Sequence, residues 1–279
     1  MIRPNTCHAA LAGAALLALG SLWPTGTNAA EREEKVVQVP TRPGITVKFI
    51  LRGQPHGNPP IVVLFAGGNG LIDLDAWNGK GNPAGNFLVR TRKHWVKHGL
   101  LVAVPDAPSD RKGDGLLQWR TSRDHAADIR AIIAYLRRLS TGPAFLVGTS
   151  AGSISAAGAA ARLPPGELSG IALTASVTRY ARSGRRDRVQ SVDLEKIRVP
   201  VLLAHHEDDQ CYVTVPDDVA GLAKEFTNAP GVTIRMYRGG KNYYGPDCGS
   251  RTAHGFRGIE KEVVADIAAW IHRIAGQAR

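Results

Sequence analysis

Ala144-Phe145-Leu146-Val147-Gly148-Thr149-Ser150-Ala151-Gly152-Ser153-Ile154-Ser155-Ala156-Ala157 is the stretch on which the fold turns. Its first four residues form an apolar run of the length of a buried strand. Its last residues are small and can open a helix packed close against a sheet. Between them lies G-x-S-x-G. Strand, G-x-S-x-G, helix is the context of a nucleophile elbow, in which a sharp turn lifts a serine hydroxyl off the top of a sheet. The glycines relieve crowding around a serine held in a strained backbone conformation. The pentapeptide alone is a weak signal, because the chain holds 31 glycines. An ordinary Gly-rich turn with Ser150 as a helix N-cap is the alternative.

Outward from this stretch, short β-type runs alternate with helical patterns, which predicts a mostly parallel sheet with helices on both faces. Thr46–Leu51 alternates and reads as an edge-side strand. Ile61–Phe65 and Leu100–Val104 are continuous and apolar, the pattern of central strands covered on both faces, and Gly170–Thr174 and Val201–His205 read as two further strands. Val232–Tyr237 is the last strand. Helices are expected over Asn86–Lys97, after a capping box at Thr121–Asp124, after the elbow, over Pro216–Thr227, and at the C-terminus around Ile259–Ile274. Only Ser176–Arg198 separates the post-elbow strand from the next strand. That is too short for a separate lid domain, so the site is expected to be open and to favour short acyl groups.

The N-terminus reads as a targeting segment. Arg3 is a positive n-region, Ala9–Trp23 an apolar h-region, and Thr27-Asn28-Ala29-Ala30 a small-residue cleavage site. Residues 1–30 are therefore assigned to a signal peptide and residues 31–279 to one α/β domain. Export to the periplasm or secretion follows, with no stable membrane insertion after cleavage; an uncleaved anchor is the alternative. The formal net charge of +11 has no accompanying nucleic-acid motif. It is read as solubility, with an anionic envelope surface as the weaker option. Cys211 and Cys248 are the two cysteines beyond the leader, and an exported chain with two cysteines is expected to pair them.

A serine nucleophile needs a base, an acid that orients the base, and donors for an oxyanion. In a parallel sheet these must sit on loops at the carboxyl ends of strands. His205-His206-Glu207-Asp208-Asp209-Gln210-Cys211 supplies the acid, Asp209 first and Asp208 second. A solvated acidic turn is the bland reading. A metal site on His205, His206, Asp208 and Cys211 is a third, disfavoured because adjacent strand residues face opposite ways. Thr252-Ala253-His254-Gly255-Phe256 supplies the base, His254. His94, His98, His125 and His272 fall on predicted helices and His56 precedes the first central strand. The oxyanion donors are assigned to the backbone N–H groups of Ala151 and of Gly68 in Ala66–Gly70, where glycines let the main chain approach a carbonyl. A Cys211–Cys248 bond would tie the acid loop to the base loop. Arg90 and Arg92 could bind a carboxylate or brace a loop. The run Arg179, Arg182, Arg185, Arg186, Arg188 could attract an anion or be solvated surface. Tyr212, Tyr243 and Tyr244 could line the pocket or simply pack.

Together these residues resemble the α/β-hydrolase superfamily, in the manner of a single-domain esterase or dienelactone-hydrolase-like member. The resemblance spans Val47 to Ile274 and rests on Gly148–Gly152, Ala66–Gly70, Pro200–Asp209 and His254-Gly255-Phe256. Ala66 stands where many esterases have a histidine, and His206 where a glycine is usual. The resemblance implies hydrolysis of a small-molecule ester, thioester, amide or lactone, with no metal or organic cofactor. A non-catalytic binding protein on the same fold and an envelope acyltransferase are the rival readings.

Overall fold

The computed structural model describes residues 1–2, 34–76, 85–181 and 187–277. Eight strands form one sheet: β1 (Glu34–Arg42), β2 (Ile45–Arg52), β3 (Ile61–Phe65), β4 (Leu101–Pro105), β5 (Ala144–Thr149), β6 (Gly170–Thr174), β7 (Val201–His206) and β8 (Val232–Tyr237). Their order across the sheet is β1-β2-β4-β3-β5-β6-β7-β8. β1 and β2 pair antiparallel, and β2 pairs antiparallel with β4. From β4 to β8 every pairing is parallel. The helices are α1 (Phe87–Lys97), α2 (Arg123–Arg137), α3 (Gly152–Ala160), α4 (Val219–Lys224) and α5 (Glu260–Gln277).

Two apolar layers cover the sheet. Ile61, Val63 and Phe65 of β3 join Ile129 of α2 and Ile154 of α3 on one face. Val62 and Leu64, the alternate residues, join Trp95 of α1 and Ile267 of α5 on the other. This period-two division is why the central strands read as unbroken apolar runs: both faces are buried. The mostly parallel, doubly covered sheet expected from the sequence is the one observed.

Several local expectations are corrected. β1, which no sequence pattern marks, is the edge, so Thr46–Leu51 lies in the second strand rather than at the margin. The α2 N-cap is Ser122, whose hydroxyl accepts from the His125 N–H at 3.0 Å, one residue later than the capping box placed it. Pro216–Asp218 is a 3-10 turn, and only Val219–Lys224 continues as α-helix. The proposed leader, residues 1–30, lies outside the described residues except for its first two. Between β6 and β7 the described residues form short 3-10 turns at Val189–Ser191 and Leu194–Lys196.

The glycines at the elbow are required by close approach. A Cβ at Gly152 would lie 2.1 Å from the Phe65 carbonyl oxygen, and one at Gly148 would lie 2.2 Å from the Gly152 oxygen. Both obstacles are backbone and cannot swing away. Gly44, at φ +72°, has open space around its missing Cβ. Gly44→Ala should therefore cost about 1–2 kcal/mol, the ordinary penalty of a left-handed residue. Gly152→Ala should cost more than about 3 kcal/mol or prevent folding, because β3 and α3 must separate. Chemical denaturation of both variants checks this; equal losses would count against the crowding argument.

Candidate functional site

Ser150 follows the last residue of β5 with φ +53°, in the left-handed region. Holding a non-glycine residue there costs about 1–2 kcal/mol, so the surroundings must impose it. They do so with hydrogen bonds. The Ser150 N–H donates to Thr174 O on β6 at 3.0 Å. Its carbonyl accepts from the Ser153 N–H at 2.9 Å and from the Ser153 hydroxyl at 2.6 Å.

Asp209 lies just past β7 with its side chain fully buried. One carboxylate oxygen accepts from the Cys211 N–H at 2.9 Å. The other accepts from the Thr214 hydroxyl at 2.8 Å and from His254 Nδ1 at 3.0 Å. His254 sits in the 3-10 turn Ala253–Gly255, where the Thr252 hydroxyl accepts its N–H. A carboxylate only accepts, so Nδ1 is the donor in this bond and Nε2 is the ring nitrogen left for another partner. Asp208 is excluded from this role: its side chain is 69% exposed and stands 3.9 Å from His206 Nδ1. Ser150 and His254 border one small cavity with Gly67, Asn86 and Ser250.

The loop after β3 completes the site. Gly67 packs so tightly that a Cβ there would come within 2.9 Å of Ser150 Cβ. The Gly70 N–H donates to Gly67 O at 3.2 Å. In a trans peptide the N–H points opposite to the carbonyl, so this bond fixes the direction of the Gly68 amide. Arg120, 2% exposed, donates to Ala66 O and Gly68 O, each at 3.1 Å, and to the Ser155 hydroxyl of α3 at 2.7 Å. Among the described residues neither the Gly68 nor the Ala151 N–H has an acceptor, and both residues border a cavity of about 440 Å³. Its other walls are mainly apolar: Leu116, Leu117, Ile154, Val177 and Val213.

Cys211 and Cys248 form a disulfide across 37 residues. It joins the turn that carries Asp209 to the loop that precedes His254. Asp209, Cys211 and His254 are close enough to be weighed as a metal site. They fit poorly: the sulfur is committed to Cys248, and Nδ1 to Asp209. Nor does the other metal reading gather its residues. His205 Nε2 accepts from the Ser176 N–H at 2.9 Å, whereas His206 Nε2 donates to Gly239 O at 2.8 Å across a different face.

The accessory residues divide. Arg90 braces the loop that carries His254 rather than offering a site: it donates to Gly85 O and Gly255 O and pairs with Glu260. Arg92 pairs with Glu34 of β1. Arg179 pairs with Asp218, and the Arg188 guanidinium lies over the Tyr180 ring; Arg182, Arg185 and Arg186 fall outside the described residues. Tyr212 borders the large cavity. Tyr243 donates to Gly239 O instead, and Tyr244 packs beside Arg251 and Arg257. Thr214 and Arg120 were not singled out from the sequence, where no local pattern marks either. His125, on a helix as its sequence position predicts, is buried in α2, with Nε2 2.9 Å from the Ser155 hydroxyl.

No protein-family model matches this chain, and no curated protein sequence matches it. Solved structures do. Dienelactone hydrolase from Anabaena variabilis aligns with a TM-score of 0.57 at 15% identity, over 86% of this chain and 97% of its own. An esterase from Pyrococcus furiosus gives 0.58 at 13%, over 86% and 92%. A cold-adapted esterase from an Arctic intertidal metagenomic library gives 0.55 at 16%, over 85% and 93%. The chain has the α/β-hydrolase fold.

Two buried imidazoles set an acid limit on stability. Burial pushes His125 down to about 3, assisted by Arg120 and Arg42. It pushes His205 down to about 4, against the pull of Asp209. Both are neutral when folded, whereas in the unfolded chain they titrate at about 6.5. Their contribution is thus complete above about pH 6.5 and is lost as pH falls toward the folded values, by up to about 1.4 kcal/mol per pH unit each. The melting temperature should be level from pH 8 to 6.5 and drop between 6.5 and 5; a profile level down to pH 4.5 would contradict this.

Proposed function

We propose that this chain is an exported serine hydrolase that cleaves a carboxylic ester through an acyl-enzyme. The observation that carries the reading is the buried Asp209–His254 bond at Nδ1, with Ser150 facing the same cavity from a left-handed turn. In this reading Ser150 Oγ attacks the ester carbonyl while His254 Nε2 takes its proton. The Ala151 and Gly68 amides receive the charge that develops on the carbonyl oxygen. His254 then returns the proton to the departing alcohol oxygen. Water enters, gives a proton to His254 and releases the acid by the reverse steps. Asp209 holds the ring in the useful tautomer and stabilises the imidazolium. Every step uses protein groups, and no metal or organic cofactor is invoked.

Export is supported by the signal-type leader at residues 1–30, and the disulfide suits an oxidising compartment. The partner in this reading is a small acyl substrate, not nucleic acid or a membrane. The three solved hydrolases share the fold and are consistent with ester cleavage, although folds alone do not fix function.

The test is covalent labelling with a fluorophosphonate, mapped by mass spectrometry, alongside hydrolysis of p-nitrophenyl acetate. The adduct should form on Ser150 of the folded protein. Ser150→Ala should abolish it and lower kcat by about 10⁴-fold or more. An unlabelled Ser150 in folded protein would refute the reading and favour a binding protein.

Thr214 acts in this scheme by positioning. Its hydroxyl donates to the Asp209 oxygen that His254 uses and lies 3.1 Å from His254 Nδ1. Thr214→Val, nearly isosteric, should lower kcat by about tenfold with little change in KM, since a donor to a buried carboxylate is worth about 1.5–3 kcal/mol. It should also move the acidic limb of the kcat/KM profile. Thr214→Ser should restore both; failure of that rescue would make the role one of packing.

A further inference from the structure

Ser150 stands between two cavities of unequal size. The larger, about 440 Å³, opens on the Ala151 side against Leu116, Ile154, Val177 and Val213, with Arg120, Asp187 and Asp247 as the charged minority of its walls. The smaller, about 50 Å³, opens on the His254 side against Asn86, Phe87, Ser250 and Gly255. Ser150 and Gly68 border both. His254 borders the small cavity and Ala151 the large one.

We infer that the two cavities divide the ester between them: the acyl group takes the large one and the alcohol the small one. The inference rests on the serine-hydrolase reading above. Once Ser150 Oγ bonds to the carbonyl carbon and the oxyanion faces the Gly68 and Ala151 amides, two substituents remain to be placed. The bond that breaks is the one from carbon to the alcohol oxygen. Its electron pair stays on that oxygen, which takes the proton held on His254 Nε2. A proton donor must lie within hydrogen-bond reach of the atom it serves. The alcohol oxygen therefore sits beside His254, and its carbons enter the small cavity.

Size then sets the substrate class. A single water needs about 10–15 Å³ of such space, so the walled part of the small cavity holds a few waters or the first one or two carbons of an alcohol, and a longer chain must leave those walls. The departing alcohol leaves room there for the water that deacylates the enzyme. The large cavity falls within the roughly 300–1,000 Å³ of small-molecule sites and has mainly apolar walls. The substrates are thus methyl or ethyl esters of medium-sized apolar acids, alkyl or arylalkyl. This departs from the expectation of short acyl groups, which rested on the missing lid domain. The walls come instead from the loop at residues 116–120, the start of α3, and residues 177 and 213.

Two ester series on the purified protein test it, each below the micellar limit. Along methyl acetate, butyrate, hexanoate and octanoate, kcat/KM should rise by about tenfold or more. Along methyl, ethyl, butyl and hexyl butyrate it should fall by about tenfold or more. Leu117→Trp, on the partly exposed wall of the large cavity, should lower the octanoate-to-acetate ratio and leave the methyl-to-hexyl ratio in place. Flat series, or a preference for long alcohols with acetate, overturn the division while the fluorophosphonate adduct on Ser150 persists. Loss of the adduct in folded protein would instead overturn the underlying hydrolase reading.

Discussion

The contact on which the rest depends is the one between α3 and β3. The first residue of α3 has no side chain because the Phe65 carbonyl occupies that space, with a hypothetical Cβ only 2.1 Å from it. This approach is closer than any side-chain-bearing residue permits. It brings the end of β5, the start of α3 and the loop after β3 to one point. The left-handed Ser150 and the Gly67–Gly68 turn are then neighbours as a consequence of backbone packing. Strain at Ser150 persists because Thr174 and Ser153 hold both sides of the turn. The strain is therefore a local cost that the sheet and α3 jointly sustain.

The second half of the site is held by a different device. Asp209 is fully buried, and an unpartnered buried carboxylate would be prohibitively costly. Three donors offset that cost: the Cys211 amide, the Thr214 hydroxyl and His254. All three lie on or beside the segments that the disulfide connects. The cross-link limits how far the two loops can separate, and the hydrogen bonds then fix the ring orientation within that limit. Neither device substitutes for the other. A disulfide sets distance coarsely, whereas a three-donor cradle sets direction.

The legible parts of this chain are those encoded in contiguous residues. Central strands announced themselves as apolar runs because both faces are buried, and the elbow as a short motif with a demanding backbone. Asp209 and His254, which the structure brings together, could be singled out as candidates because each lies just after a strand or just before a helix. β1 was not legible: Glu34–Arg42 is a half-exposed edge, mixes charges with valines and contains Pro40, so no burial period survives. Thr214 and Arg120 were illegible for another reason. Their roles involve partners far away in sequence, His254 at 40 residues from Thr214 and Ala66 at 54 from Arg120, and no spacing rule records such pairings. The choice between Asp208 and Asp209 likewise required knowing which carboxylate turns inward.

Arg120 shows how the same economy of long-range contacts shapes the loop after β3. Its guanidinium is buried behind the loop and binds the carbonyls of Ala66 and Gly68, while the Gly70 amide binds the carbonyl of Gly67. Three successive peptide units are thereby oriented from behind, and the Gly68 N–H between them is left facing the cavity. A loop of three glycines in five residues would otherwise sample many conformations, and an amide that must reorient during reaction gives up much of its electrostatic benefit. The buried charge does more than brace. It places a positive charge on the far side of the loop from amides that face a cavity. The glycines permit the approach of a carbonyl, and the arginine removes the freedom that the glycines bring.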